Sequence, residues 1–199
     1  MKPSASMIAA VLSACATITT QAAPAPHTTG RHPKHCPAPS AASKLYRFFQ
    51  NDSAHYLYTT SAAASAHAYA AGYEFDGVAA RVFKTPQPAT VPLHHVSNSN
   101  SNSNTNTNYN NHAVQLEDNF YTTDVRERDA VLAGAESARD EGVAAHVFAR
   151  RICGSVPLYR LFNHGTGAHF YTADEEEREQ ALADGGYDEP AIAGFVLAK

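Results

Sequence analysis

Two pairs of carboxylates stand at a spacing that could support acid–base catalysis. Asp124 precedes Glu127 by three residues, and the spacing recurs with Asp174 and Glu177. The same spacing is typical of a helix N-terminus, where Asp caps the first N–H groups and Glu reaches back to the cap in a capping box. We favour capping, because the corresponding segment earlier in the chain keeps a capping residue, Ser61, but has neither carboxylate, with Ala64 three residues later.

His169 is the single residue best suited to acid–base or ligand-binding chemistry. It lies between a Gly-containing turn and the aromatic pair Phe170-Tyr171. The imidazole could act as a base or bind a ligand, but we favour packing beside a hairpin, paired with a backbone group or a carboxylate. The sequence has no G-x-S-x-G, no H-E-x-x-H and no Gly-rich phosphate loop. We therefore predict no catalytic residue.

Tyrosine and arginine recur at equivalent places, and together they could bind sugars by stacking and hydrogen bonding. A repeated array of weak pockets would also gain avidity on a polymer. The alternative is that these rings, at alternate positions of strands, fill the core. The absence of Trp argues against a strong carbohydrate site. The candidate ligand-binding residues are Tyr46, Arg47, Tyr58, Tyr121, Tyr159, Arg160, His169 and Tyr171.

Metal ions and nucleic acids are poor candidates as partners. His27, His32, His35 and Cys36 lie in a Pro-rich segment, and their spacing fits no standard metal site. We predict no metal and no cofactor. The 15 Lys and Arg residues are outnumbered by 19 Asp and Glu residues, which gives a formal net charge of −4. This balance argues against a protein that binds a nucleic-acid backbone.

The first residues predict export from the cell. Met7–Ala16 is an apolar run that is too short to span a bilayer but typical of a signal-peptide core. Small residues follow, so we predict a signal peptide over residues 1–22, no membrane span and an extracellular protein. The run that ends at Cys15 also matches a bacterial lipobox, which leaves lipid anchoring through Cys15 as an alternative.

The two remaining cysteines and the prolines between the leader and the repeats define a second region. Residues 23–44 are Pro-rich and without apolar periodicity, and they predict an extended arm. In an oxidising compartment Cys36 and Cys153 are expected to form a disulfide. The alternative is a pair of free, buried thiols.

Beyond the arm the sequence repeats. Leu45–Phe49 returns as Leu158–Phe162, and Gly77–Phe83 returns as Gly142–Phe148 and, in a third copy, as Ala191–Leu197. Repeats of this size indicate small supersecondary units that bury their apolar faces against one another. The middle copy is interrupted at Ser97–Asn111 by a 15-residue tract rich in Asn and Ser, which predicts a disordered surface loop. The three units are residues 45–90, 91–155 and 156–199.

Each unit is predicted to be strand, strand, helix, strand. In the third copy, aromatic strands at Leu158–Phe162 and Ala168–Ala173 flank a turn of hairpin type. A helix is expected over residues 174–183, ending at a Gly pair. Pro190 precedes a last apolar strand, Ile192–Leu197.

The three copies resemble the repeat family called domain of unknown function 5648, over Leu45–Lys199. The third copy is the most similar, through Leu158-Tyr159-Arg160-Leu161-Phe162-Asn163, Gly167, His169-Phe170-Tyr171-Thr172, Asp174, Glu177-Arg178, Gly186-Tyr187 and Ala193-Gly194. Two departures stand out. Tyr56 and Asn119 align with His169, and the middle copy has His94-His95-Val96 where the family favours Tyr-Arg-Leu. The resemblance implies secretion and a threefold repeat architecture, but no established activity.

We therefore expect an α+β fold of three strand-strand-helix-strand repeats packed about a pseudo-threefold axis, in a monomeric protein. The expected function is a secreted, non-catalytic module that binds cell-wall or other extracellular glycan. Two alternatives remain: a wall-active hydrolase that uses His169 and a nearby carboxylate, and a scaffold for protein interactions.

Overall fold

Nine antiparallel strands and three α-helices make up the described part of the chain, and the order strand, strand, helix, strand occurs three times. The computed structural model describes residues 36–100, 116–184 and 186–199, all within one compact unit, residues 32–199. The α+β prediction is confirmed. The predicted signal peptide, Cys15 and the histidines of the arm lie outside the described residues.

The first segment consists of β1 (Ser43–Gln50), β2 (His55–Thr59), α1 (Ala62–Ala70) and β3 (Glu74–Val82). The second consists of β4 (Thr90–Asn100), β5 (Leu116–Thr122), α2 (Val125–Gly134) and β6 (Ala138–Phe148). The third consists of β7 (Val156–Asn163), β8 (Ala168–Thr172), α3 (Glu175–Ala183) and β9 (Asp188–Val196). In each segment the first strand lies between the other two, because β1 pairs with β2 and β3, β4 with β5 and β6, and β7 with β8 and β9.

Backbone pairings join the last strands of the three segments to one another. Phe148 of β6 pairs with Phe195 of β9, which merges two of the three-stranded sheets into one of six strands. Isolated bridges join Phe83 to His146 and Arg81 to Leu197, so the end of β3 also reaches β6 and β9.

The third segment follows the predicted hairpin and helix closely, but β9 begins earlier than expected. It starts at Asp188, which pairs with Phe162, and it includes Pro190. The pairing of β9 with β7 shifts register between Arg160 and Phe162. Proline has no N–H to donate and is tolerated at such irregular positions, so Pro190 does not delay the strand.

The Asn- and Ser-rich tract begins inside a strand rather than in a loop. β4 continues to Asn100, so the first four residues of the predicted insert are in β structure. Ser97 and Asn98 pair with residues of β5, and Ser137 Oγ donates to Asn98 Oδ1 at 2.7 Å. Cross-strand pairing outweighs the weak strand propensity of Ser and Asn here. The remainder of the tract lies outside the described residues.

The predicted disulfide is confirmed. Cys36 and Cys153 are bonded, with their Cα atoms 5.5 Å apart. Cys153 packs against a buried cluster of Phe83, Phe148 and Ile152. The arm leads into β1 two residues earlier than the predicted boundary, and Arg81 Nη2 holds it by donating to the carbonyl of Pro39 at 2.9 Å. No helix in the described residues is long and apolar enough to cross a membrane.

Candidate functional site

Irregular strand pairing marks one position on the first strand of each segment. The pairing of β1 with β3 shifts register on both sides of Tyr46-Arg47, and that of β4 with β6 shifts on both sides of His94-His95. The pairing of β7 with β9 shifts before Tyr159 and after Arg160. β-bulges re-aim side chains and are frequent beside functional sites. Arg47, His95 and Arg160 are therefore the residues from which the site is built.

Arg47 joins the first segment to the helix of the third. Its Nη2 lies 2.8 Å from Glu177 Oε1 and its Nη1 donates to Glu177 Oε2 at 3.1 Å, while Nε contacts Asp76 Oδ2 at 2.7 Å. The guanidinium lies over the ring of Phe170, 5.0 Å from its centroid. Such a two-point contact between planar groups fixes the geometry of both.

Arg160 repeats this arrangement between the third segment and the second. Its Nη2 lies 2.6 Å from Glu127 Oε1, and Nη1 donates to Glu127 Oε2 at 3.0 Å. Its guanidinium lies 4.9 Å from the centroid of the Phe120 ring. Arg160 and Arg47 thus make the same contacts with a helix of another segment.

The two glutamates are also bound by threonines, which corrects the capping-box prediction. Asp124 and Asp174 do cap their helices. The N–H of each Asp, however, donates to a threonine hydroxyl two residues earlier, and that hydroxyl donates to the glutamate. Glu127 and Glu177 therefore do not accept the N–H of the capping residue. A threonine hydroxyl accepts that N–H instead, and the glutamate carboxylate pairs with an arginine. The threonines are Thr122 and Thr172.

This environment keeps Glu177 ionised. Burial alone would raise the pKa of its carboxyl group, but the hydrogen bonds from Arg47 and Thr172 outweigh burial and lower the pKa to about 2. The pKa of Glu127 is lowered for the same reasons, with Arg160 and Thr122 as its partners. Both pairs are thus fixed in the charged state.

His95 takes the equivalent position in the second segment, but it makes no ion pair there. The helix facing it, α1, has Ala64 where α2 and α3 have a glutamate. His95 Nε2 instead contacts Asn119 Oδ1 at 2.8 Å, and its ring stacks on Tyr121 at 4.4 Å. Burial lowers the pKa of His95, although Asn119 opposes this shift. The imidazole is therefore neutral near pH 7.

Three cavities lie beside these positions. The Arg47 cavity has a volume of about 330 Å³ and is bounded by Tyr56, Tyr187, Gln180 and Asp184. The Arg160 cavity measures about 490 Å³ and contains Glu127, Phe162 and His169. The largest, at about 870 Å³, is the His95 cavity, which extends from α1 to Lys84 and Glu141.

His169 pairs with a carboxylate beside the hairpin, and this geometry agrees with the interpretation that we favoured. Its Nδ1 lies 2.7 Å from Asp118 Oδ2, and its backbone N–H donates to Asp118 Oδ1 at 2.9 Å. Phe162 and Phe120 pack against the imidazole, with ring centroids 4.7 Å and 5.1 Å away. Asp118 gives no signal of this role in the sequence, because it has no charged counterpart in the third copy, which carries Ala168.

Three of the candidate tyrosines lie in the core, and one of them, Tyr58, also contributes to the wall of the His95 cavity. Tyr58, Tyr121 and Tyr171 are each at most 2 % exposed. Tyr121 Oη accepts from the N–H of Tyr58 and donates to its carbonyl, and Tyr171 Oη does the same for Tyr121. Tyr58 Oη accepts from the N–H of Tyr171, which closes the cycle. These hydroxyls satisfy backbone groups, so they are not free to hold a sugar and the binding role predicted for them is withdrawn.

The other candidates have different surroundings. Tyr46 is half-buried against Phe75, and Tyr159 lies under the guanidinium of Arg178. Neither tyrosine lines the Arg47, Arg160 or His95 cavity. The structure thus brings Arg160 and His169 together in one cavity and Arg47 into another.

Comparison with known proteins gives a family but no activity. A family model described as a domain of unknown function (DUF5648) matches residues 27–117 and 104–197. The chain belongs to the DUF5648 family. The two matches overlap, and together they cover all the described strands of this DUF5648 protein. No curated protein and no solved structure matches the chain.

Proposed function

We propose that this DUF5648 protein is a secreted, non-catalytic module that binds extracellular glycan, with its ligand in the Arg47 cavity. The disulfide is compatible with an oxidising compartment outside the cytosol.

We also propose that the domain is three repeats about a pseudo-threefold axis, the second of them interrupted by the Asn- and Ser-rich tract. Two observations support this architecture: the cycle of hydrogen bonds through three tyrosines and the pairing of all three last strands.

The make-up of the Arg47 cavity carries the proposal. Tyr56 and Tyr187 are half-buried and present ring surface to the cavity, and their hydroxyl groups hydrogen-bond to each other. Gln180 and Asp184 line the same cavity, and neither side chain hydrogen-bonds to another residue in the described part of the chain. Aromatic surface beside free amide and carboxylate groups is the combination that binds a sugar ring by its C–H face and its hydroxyls.

Arg47 and Glu177 serve as the floor of this site rather than as ligand contacts. Both are already bonded to each other, and Arg47 is only 6 % exposed. Their pairing holds Phe170 and α3 in place, so that Gln180 and Asp184 on α3 and its C-terminal end stay fixed against Tyr56. The site is pre-organised, which reduces the entropic cost of binding.

The test is binding of the purified mature protein, measured on a glycan array and then by calorimetry. Tyr187→Ala should weaken binding about tenfold or more, because it removes one aromatic wall and one hydroxyl. Tyr69→Ala is the matched control, since Tyr69 is 57 % exposed and lies outside the cavity. Retention of full affinity by Tyr187→Ala, or no binding to any glycan, would refute the proposal.

A second candidate function, hydrolysis of a wall polymer, is favoured by the His169–Asp118 pair. The bond at Nδ1 fixes the imidazole and leaves Nε2 for a water or substrate proton. Glu127, held as a carboxylate, lines the same cavity. If turnover of a wall polysaccharide is detected, His169→Ala and Asp118→Asn should each abolish it while the protein stays folded. Undiminished turnover in both variants would exclude this mechanism.

A further inference from the structure

The three helices differ at their third residue, which is a glutamate in α2 and α3 but not in α1, although a threonine ends the strand before each helix. Glu127 and Glu177 occupy the third position of α2 and α3, where each accepts a hydrogen bond from the threonine that ends the preceding strand. The third position of α1 is Ala64, and the corresponding threonine is Thr59. The first segment therefore keeps the donor and lacks the carboxylate.

Thr59 has a hydroxyl proton with no acceptor in the described residues. Its Oγ1 accepts the N–H of Ser61 at 3.0 Å, as Thr122 and Thr172 accept the N–H of their capping residues. In those two cases the hydroxyl proton goes to glutamate. Thr59 is only 8 % exposed, and it lines the His95 cavity beside Ala64. A buried hydroxyl that cannot donate carries a desolvation cost that a bound acceptor would remove.

The surroundings of Thr59 suit an anion. The first turn of α1 lies at this end of the helix, where the backbone dipole favours negative charge, and the N–H of Ala64 itself donates to Ser61 Oγ at 3.3 Å. Lys84 also lines the cavity. Glu141 is the opposing carboxylate, and its Oε1 accepts from Ser97 Oγ at 2.7 Å.

We propose that the His95 cavity binds a carboxylate-bearing sugar, with the ligand carboxylate in the place that Glu127 and Glu177 fill in the other two segments. Thr59 Oγ1 donates to this carboxylate and Lys84 balances its charge. Neutral His95 uses its Nε2–H for Asn119, so its Nδ1 accepts from a sugar hydroxyl. The proposal depends on the proposed glycan-binding function only for the choice of a sugar as the carrier of the carboxylate.

The experiment measures binding of trigalacturonic acid to the full mature protein by calorimetry, with the trimethyl ester of the same sugar as a neutral comparison. We expect the acid to bind and the ester to bind at least tenfold more weakly. Thr59→Val keeps the shape of the side chain and should weaken binding of the acid about tenfold. Glu141→Gln should strengthen it, because one opposing charge is removed.

Ala64→Glu is the decisive variant because it supplies the missing carboxylate from within the chain. It reproduces the threonine–glutamate contact of α2 and α3 at a half-buried position, and it should abolish binding of the acid; circular dichroism checks that the variant is folded. Ala64→Gln adds similar bulk without charge and should retain more binding. Equal affinity for acid and ester, or full binding by Ala64→Glu, overturns the proposal. Equal binding of triglutamate overturns the assignment to a sugar.

Binding at the Arg47 cavity is a separate readout. Ala64→Glu should leave the affinity for a neutral glycan unchanged, and Tyr187→Ala should leave the affinity for trigalacturonic acid unchanged. If the wild type binds only one of the two ligands, neutral glycan or trigalacturonic acid, the missing binding shows which of the two proposals has failed.

Discussion

The carboxylate of Glu177 connects α3 to two strands, one of them in another segment. Its backbone lies in the first turn of α3, and its carboxylate is bonded to Arg47 of β1 and to Thr172 of β8. Arg47 is almost fully buried, and its Nε contacts Asp76. Removing the carboxylate would therefore leave a buried cation with only one anionic partner.

Glu177→Gln should lower the free energy of unfolding at pH 7 by about 1.5–3 kcal/mol, the range for hydrogen bonds to charged groups. The pKa of Glu177 falls from an ordinary 4.5 to about 2 in the folded state. Its contribution is therefore complete above pH 4.5 and is lost as the pH falls toward 2. Urea unfolding of both proteins across this range measures the effect.

Glu176→Gln is the control for this substitution. Glu176 is the preceding residue of α3, and its side chain is exposed. It should unfold like the wild type at every pH. A constant difference between Glu177→Gln and the wild type from pH 7 to about pH 2 would contradict the assigned role of the ion pair.

Residue types alone could not tell which tyrosines face solvent. Tyr46 and Tyr58 both lie in strands with aromatic neighbours, yet Tyr46 is half-buried and Tyr58 is 2 % exposed. Tyr58 lies on β2, an edge strand that meets β5 and β8 in the core, whereas Tyr46 lies on β1. Which strands meet in the core is decided by tertiary packing. The recurrence of Tyr58, Tyr121 and Tyr171 was a usable signal, but it pointed to the core.

Elements were more predictable than contacts between them. The hairpin around Gly167 and the helix after Asp174 follow from turn and capping residues that act locally. The earlier start of β9 and the extension of β4 into the Ser and Asn tract could not be predicted, because both depend on pairing with a distant strand. The pairing of Glu177 with Arg47 and of Glu127 with Arg160 could not be predicted either, because each pair joins two different segments.

Close packing of β9 against β6 gives a prediction at the level of elements. A methyl group at buried Gly194 would lie 2.8 Å from Val147 Cγ2 and 3.3 Å from Thr123 Cγ2. Gly194→Ala should therefore force these strands apart and destabilise the protein by about 1–3 kcal/mol, the usual cost of overpacking. Thermal and urea unfolding measure the loss.

Gly134→Ala is the matched control, because a methyl group at the end of α2 meets no atom within 4 Å. Alanine is also the better helix former, so this variant should be neutral or slightly more stable. If Gly194→Ala is as stable as Gly134→Ala, the close contact between β6 and β9 is not a constraint on the fold.

At the scale of the whole molecule, the three tyrosine hydroxyls connect the free edges of β2, β5 and β8. An edge strand has unpaired N–H and C=O groups, and burying them without partners is unfavourable. Tyr121 Oη and Tyr171 Oη each satisfy one N–H and one carbonyl, whereas Tyr58 Oη is bonded to the N–H of Tyr171.

Removing these hydroxyls should therefore have graded effects. Tyr121→Phe and Tyr171→Phe should each cost about 1–3 kcal/mol per unsatisfied group, and Tyr58→Phe should cost less than either. Tyr69→Phe, at an exposed position on α1, should have no effect on unfolding. Equal stability of all four variants in urea would show that the cycle of hydrogen bonds does not stabilise the domain.

The disulfide acts on the whole chain because it joins residues 117 positions apart. Cys36→Ser/Cys153→Ser should lower the free energy of unfolding by about 4–5 kcal/mol on the chain-entropy model. Without the disulfide the unfolded chain is no longer closed into a loop, so its conformational entropy rises and unfolding becomes more favourable. The native fold should persist, because Phe83, Phe148 and Ile152 pack together without the sulfur atoms. Circular dichroism tests the fold, and urea unfolding tests the stability. A reducing agent should destabilise the wild type equally and leave the double variant unchanged. A loss below about 1 kcal/mol would mean that the arm adds little constraint and that the tyrosine cycle and strand pairing alone hold the three segments together.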